Sequence, residues 1–212
     1  MLEQLSFEDF KKIINKVNET IQDKKIFLSE LDSFIGDGDH GVTMAKGLES
    51  AVAKVKEVNP SNISDLLKTV GNAITVTIGG VGGPIFGTVF SEMGRKIDTK
   101  KDYADIKDLY LMFSASLEKV MTLGRGAKPG DKTMIDAFYP AVKSLEQSMT
   151  QGLDIKEALS QMAAASKRGA ESTKDMISSR GKSSYCGERS IGYEDAGANT
   201  MYFIFKSFYD AI

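Results

Sequence analysis

Cysteine is almost absent: the 212 residues include one, Cys186, so no internal disulfide can form. The opening stretch, MLEQLSFEDF, has neither a basic region nor an apolar core of the kind that directs export. Both observations point to a reducing, cytoplasmic setting. Long apolar runs are missing too. The nearest, AITVTIGGVGG, is short and broken by glycine, whereas a membrane-spanning helix needs roughly 20 residues. No membrane partner is expected. Neither sign of charge dominates, with 27 Lys and Arg against 29 Asp and Glu and a formal charge of -2, which argues against nucleic acid as a partner. An anionic ligand must therefore be held by a local site. Histidine occurs once, as His40.

What remains is a chain with 42% hydrophobic residues, enough for one substantial core, and no linker or fixed-period repeat to divide it, so residues 1–212 read as a single domain. Ser6 and Asp9 form a capping-box pattern, after which Phe7, Phe10, Ile13, Ile14, Val17 and Ile21 recur at helical spacing. Met44, Leu48, Ala51, Val52 and Val55 repeat that spacing up to the NPSN stretch at 59–62, where Pro60 forces the preceding residue out of helical geometry. Ser64 and Asp65 offer caps for a third helix through Ile74, and further helices are expected near 86–97, 106–121, 133–149, 155–177 and 198–208. The expectation is all-α, with eight helices and no hairpin.

Four connections are crowded with glycine and polar residues: 35–41, 79–87, 124–132 and 178–197. They follow the first, third, fifth and seventh helices. In an antiparallel up-and-down array every second connection falls at the same end, so all four should meet there.

The first of these, IGDGDHG at 35–41, with Asp32 just before it, supplies Asp32, Asp37 and Asp39 within eight residues. Oxygen donors of this type suit Mg²⁺ or Ca²⁺ rather than Zn²⁺. A calcium EF-hand does not fit. Counting from Asp37, its fifth position would be Gly41 and its sixth Val42, where an oxygen ligand and a glycine are needed. Asp and Gly also make plain turns and caps, and His40 has an ordinary reading as a satisfied side chain besides contact with a phosphate. The second connection, GGVGGPIFG, would let backbone N–H groups approach a phosphate, and suits close helix packing nearly as well; it lacks the GK[ST] ending of a Walker A loop. The third offers Arg125, Lys128 and Lys132, and the fourth Arg180, Lys182 and Arg189, as cations for a polyphosphate.

Taken together, IGDGDHG, GGVGGPIFGTVF, KPGDKTM and GERSIGYEDAGA, in this order, resemble the nucleotide-binding L subunit of bacterial dihydroxyacetone kinases, the stand-alone form of the Dak2-type domain. The resemblance spans nearly the whole chain. It implies a barrel of eight antiparallel helices with the nucleotide site in loops at one end. It implies ADP or ATP bound with a pair of Mg²⁺ ions held by Asp32, Asp37 and Asp39. The nucleotide pocket would comprise His40, Gly41, Val42, Thr43, Val81, Gly82, Gly124, Arg125, Met134, Lys182, Asp195, Ala196 and Gly197. His40 and Lys182 would touch the phosphate oxygens as the catalytic pair.

It further implies two partners. A separate subunit would hold dihydroxyacetone, and a phosphotransferase-system protein would rephosphorylate the bound ADP. The alternative within the same family is a nucleotide-sensing module that docks on a transcription regulator or another kinase without turnover. A fatty-acid kinase branch usually carries Thr where this chain has His40. Several positions depart from the usual pattern: Thr43 stands for Asn, Val81 and Gly82 for a small-Ser pair, Lys182 for Arg, and Ala196 for Pro. The changes at Gly82 and Lys182 remove a hydroxyl and a planar fork from the expected pocket, so weaker nucleotide retention is expected, or a variant sugar or regulatory role.

Overall fold

The computed structural model describes residues 2–212. Eight α-helices account for most of it: α1 (Phe7–Ile35), α2 (His40–Val58), α3 (Ile63–Thr77), α4 (Gly82–Lys96), α5 (Ile106–Leu123), α6 (Met134–Thr150), α7 (Ile155–Ser172) and α8 (Ala196–Asp210). Two short strands, β1 (Leu5–Ser6) and β2 (Tyr103–Ala104), pair antiparallel and tie the chain start to the α4–α5 connection. The sequence reading did not anticipate this pairing, which is too short to leave an alternating pattern.

Local chemistry explains the helix ends. Ser6 and Asp9 cap α1 reciprocally, as expected, and Asp105 with Asp108 does the same for α5. Asn59 takes the left-handed conformation, φ 49°, that ends α2 just before Pro60. The cap of α3 is Asn62, whose side chain accepts from the Asp65 N–H. Ser64, expected there as a cap, is buried within the helix and donates to the Gly94 carbonyl of α4 at 2.6 Å. Helix α7 stops at Ser172, earlier than expected, and continues only as a 3-10 turn over Thr173–Asp175. Pro140, inside α6, leaves the Asp136 carbonyl without its usual helical donor. Gly169 of α7 approaches that same oxygen so closely that a Cβ would lie 2.1 Å from it.

Each helix packs on its successor, and α8 returns to α1, so the array closes into a ring. The amphipathic faces turn inward. An edge-to-face chain of phenylalanines, Phe10 to Phe208 to Phe113 to Phe205, joins α1, α5 and α8, and Phe205 reaches Phe138 of α6. All five rings are fully buried. The alternation of helix direction sorts the connections by end. At one end Ile155 donates to Leu2, Lys156 to Ile212, and β1 meets β2. At the other, the four glycine-bearing connections gather.

Candidate functional site

The site is built where α1 runs out. Gly36 donates to the Asp32 carbonyl at 2.6 Å, and a Cβ on Gly36 would stand 2.9 Å from that backbone oxygen and 2.2 Å from the Asp32 Oδ1, so a larger residue would displace the Asp32 carboxylate. Gly38, at φ 77°, makes the next turn. Gly41 then seats α2 against α1 so tightly that a Cβ would fall 1.9 Å from the Lys25 carbonyl. These turns bring one carboxylate oxygen from each of Asp32, Asp37 and Asp39 within 4.8 Å of the other two. Asp32 is half-buried and the other two are exposed. Asp32 also accepts from the His40 N–H at 3.3 Å, which braces the loop across its width.

His40 reaches across to α8. Its Nε2 lies 2.8 Å from the Thr200 Oγ1, and that hydroxyl donates its only proton to the Ala196 carbonyl at 3.0 Å. With the Thr200 proton on Ala196, the imidazole donates from Nε2 and keeps Nδ1 as an acceptor. Burial pushes the His40 pKa below its ordinary value despite the opposing pull of Asp32, Asp39 and Asp37. The ring is neutral at pH 7. It also packs against Phe86 of α4, with centroids 5.8 Å apart, which brings the second connection to the first.

The fourth connection arrives from the other side. Lys182 Nζ forms an ion pair with Asp37 Oδ2, and each holds the other in its charged form, raising the lysine pKa and lowering that of the aspartate. Both groups are solvent-exposed, so the pair is a positional contact rather than a large source of stability. Cys186 Sγ lies 3.7 Å from the Ile35 carbonyl. Tyr193 stacks on Phe34 with ring centroids 4.6 Å apart. Asp195 caps α8 by accepting from Ala198 at 2.7 Å, and a Cβ on Gly197 would lie 3.7 Å from Met134 of α6. His40, Asp195, Ala196, Gly197 and Met134 thus share one end with the aspartates.

The glycine-rich second connection serves both purposes considered for it, by position. Gly83 and Gly87 lie in α4 against α3, where a Cβ would stand 2.1 Å from the Ile78 carbonyl and 2.0 Å from the Thr75 Oγ1. Gly79 and Gly80 have no neighbour within 4 Å on that side, and Val81 is exposed. Half of the segment is packing and half is open surface.

Two of the expected cations have other work. Arg180 Nε donates to Asp131 at 3.1 Å, and its other nitrogens reach the carbonyls of Gly124, Arg125 and Gly126. Lys132 is fully buried, its Nζ among four backbone carbonyls. The reading of both as polyphosphate ligands is corrected: they hold the third and fourth connections together. Arg125 and Lys128 remain on the surface. Thr200, which bonds the His40 ring, is not marked in the sequence, because nothing there links position 40 to position 200.

Helix starts supply the remaining chemistry. Among the described residues, α1, α3, α5, α6, α7 and α8 each receive a side-chain N-cap, whereas α2 and α4 receive none. Both uncapped helices begin at the end that carries the aspartates. In α2 the His40 and Val42 N–H groups go to Asp32 and to the Ser29 hydroxyl and that of Thr43 to the Asp39 carbonyl, which leaves Gly41; at α4 Gly82 and Gly83 donate to nothing among the described residues, and such donors at the positive end of a helix dipole suit an anion.

A cluster of hard oxygen donors beside helix starts with unpaired N–H groups is chemistry suited to a divalent cation and a phosphate. The DAK2 domain profile matches residues 34–210. The chain belongs to the DAK2 domain family. It is 37% identical over 180 residues to the ADP-binding subunit DhaL of the PEP-dependent dihydroxyacetone kinase of Escherichia coli, with 85% of each chain covered. With the ADP-binding subunit DhaL of dihydroxyacetone kinase 1 from Listeria innocua it shares 36% identity, over 92% of this chain and 91% of that one. The solved dihydroxyacetone kinase of C. freundii superposes with a TM-score of 0.74 at 26% identity, covering 100% of this chain and 36% of the longer one. That enzyme has also been solved with AMP-PNP and Mg²⁺. No helix among the described residues is long and apolar enough to cross a membrane.

Proposed function

We propose that this chain is the nucleotide-binding subunit of a dihydroxyacetone kinase, passing a phosphoryl group from bound nucleotide to dihydroxyacetone held on a partner subunit. The observation that carries this reading is the convergence of Asp32, Asp37 and Asp39 with Lys182 and the uncapped starts of α2 and α4. The ADP-binding role named for the two DhaL relatives supports it. The donor set fits Mg²⁺, since all three ligands are carboxylates and two stand open to solvent. When bound, Mg²⁺ would neutralise phosphate charge, the larger part of catalysis in a reaction with a loose, dissociative transition state.

The chain's own residues divide the remaining work. The three aspartates hold the metal, a pair of ions in our reading. The N–H groups of Gly41, at the start of α2, and of Gly82, at the start of α4, would meet phosphate oxygens, with Val42 and Thr43 lining the same turn. Lys182, released from Asp37, places a point charge on the transferring group. His40, neutral and held by Thr200, lies directly after the aspartates and contributes a fixed dipole rather than a charge. Val81, Gly124, Arg125, Met134, Asp195, Ala196 and Gly197 complete the nucleotide pocket in this reading. Nothing here requires a nucleophilic side chain, and the base for the substrate hydroxyl belongs to the partner. A phosphotransferase-system protein as the phosphoryl donor to bound ADP completes the cycle.

Denaturing the purified protein and identifying what it releases tests the first half: adenine nucleotide and Mg²⁺ are expected. Mixing with a dihydroxyacetone-binding subunit and a phosphoryl donor tests the second. Dihydroxyacetone phosphate should appear only with all three present. Turnover by this chain alone would overturn the division of labour.

A further inference from the structure

Lys132 is the most deeply buried charge in the described chain, with no solvent exposure. Its Nζ lies 2.8 Å from the carbonyl of Thr173, 3.1 Å from Met176, 2.6 Å from Ser190 and 2.7 Å from Tyr193. An ammonium has three protons, so four oxygens at these distances form a cage around a cation rather than a set of separate hydrogen bonds. Rings of backbone carbonyls hold small monovalent cations in the same way, by replacing their hydration shell. The backbone at Lys132 is itself left-handed, φ 58°, a strained conformation that Asn59 and Arg125 also adopt among the described non-glycine residues.

The four carbonyls come from the two sides of one loop. Thr173 and Met176 lie on the segment leaving α7, and Ser190 and Tyr193 on the segment returning to α8. Further bonds close the same neck: Gly192 donates to Lys174 at 2.8 Å, and Ser178 N–H to Ser190 Oγ at 2.9 Å. Beyond the neck, the loop head carries Lys182 to Asp37 and Cys186 to the Ile35 carbonyl. The adjacent Asp131 grips the head at its base through Ser179 and Arg180. Without the cation, the carbonyls of Met176, Ser190 and Tyr193 would lose the donor they share, and the Thr173 carbonyl would keep only the Met176 N–H at 3.2 Å.

We propose that Lys132 is a positioning residue, a tethered monovalent cation that closes the neck of the 173–193 loop and thereby sets Lys182 at the aspartate cluster. The first half concerns the fold of the loop alone; the second rests on the nucleotide reading above.

The test uses the full chain, stripped of nucleotide with a chelator. Lys132→Ala empties the cage, and Lys132→Met refills it with an uncharged stem. Limited proteolysis within 177–189 should accelerate by about tenfold or more in both, since a local opening that cost energy becomes cheap. Ammonium or potassium chloride should restore slow cleavage in Lys132→Ala but not in Lys132→Met, and tetramethylammonium chloride at the same ionic strength should restore neither. Slow cleavage of Lys132→Ala without an added cation, or equal rescue by tetramethylammonium, would overturn the proposal.

Should Lys132→Ala not fold in any salt, the wild-type chain still decides. Nζ-detected ¹⁵N spectroscopy is expected to show one ammonium in slow exchange with water, and fast exchange at every lysine would refute the cage. Calorimetry with Mg-ADP separates the two halves. If wild type does not bind, the nucleotide reading fails and the cage stands on the protease result. If wild type and Lys132→Ala bind equally, the positioning role falls.

Discussion

Asp37 has two claims on it: its neighbours Asp32 and Asp39 crowd it with like charge, and Lys182 relieves that crowding. Replacing it by asparagine removes one of three anionic donors while keeping the shape of the turn. Asp37→Asn should weaken Mg-dependent nucleotide binding by at least about tenfold, or 1.4 kcal/mol, with helicity by circular dichroism unchanged. Unaltered binding would take the aspartate loop out of the mechanism. Asp195 makes a different prediction. Burial pushes its carboxyl up to about 7 from an ordinary 3.8, aided by repulsion from Asp136 and Asp32 and opposed by its cap bond and Lys132. The unfolded chain therefore ionises first. The group's contribution to stability is whole below about pH 4 and fades as pH climbs through about 7. Asp195→Asn keeps an oxygen for the Ala198 N–H and removes the titration. Urea midpoints of the nucleotide-free variant should stay flatter between about pH 5 and 8 than those of wild type. At this scale, the sequence revealed which residues gather but not what each one touches. Lys132 and Arg180 looked like phosphate ligands because a lysine in a glycine loop carries no mark of its burial.

The helices themselves were legible because their apolar positions recur with the right period and their caps are local. Boundaries were read less well where a tertiary contact decides them. Ser64 looks like a cap and is instead a buried hydroxyl bonded to α4. The 79–87 segment looks like a loop, yet α4 starts at Gly82 because Gly83 and Gly87 lie flat on α3. That division can be measured. Gly87→Ala places a methyl 2.0 Å from Thr75 Oγ1 and 2.5 Å from the Gly71 carbonyl, so the helices must separate. A loss of about 1–3 kcal/mol in chemical denaturation is expected. Gly79→Ala meets nothing within 4 Å and should cost little, which makes it the control. Equal losses in the two variants would mean that α3 and α4 are not packed through these glycines.

Over the whole molecule, the alternating direction of the helices was readable from the count of connections alone, and it correctly places the four chemically biased segments together. The closure of α8 onto α1 was not readable from periodicity, since it depends on which faces meet across a gap of nearly the whole chain. The resemblance to known relatives implied it. The phenylalanine cluster that holds this closure lies along α8 away from its start, where the site is. Phe208→Ala should therefore destabilise the fold by about 3–5 kcal/mol while leaving Mg-ADP affinity of the folded fraction within about twofold. A matching collapse of affinity at temperatures where the variant is folded would show the core and the site to be coupled. Because eight is even, the chain enters and leaves on the side opposite the aspartates: Leu2 lies at Ile155, and Ile212 at Lys156. A purification handle, a fluorophore or a sensor-chip anchor attached at either terminus would thus project away from the mouth, and the molecule could be immobilised with its working end turned outward.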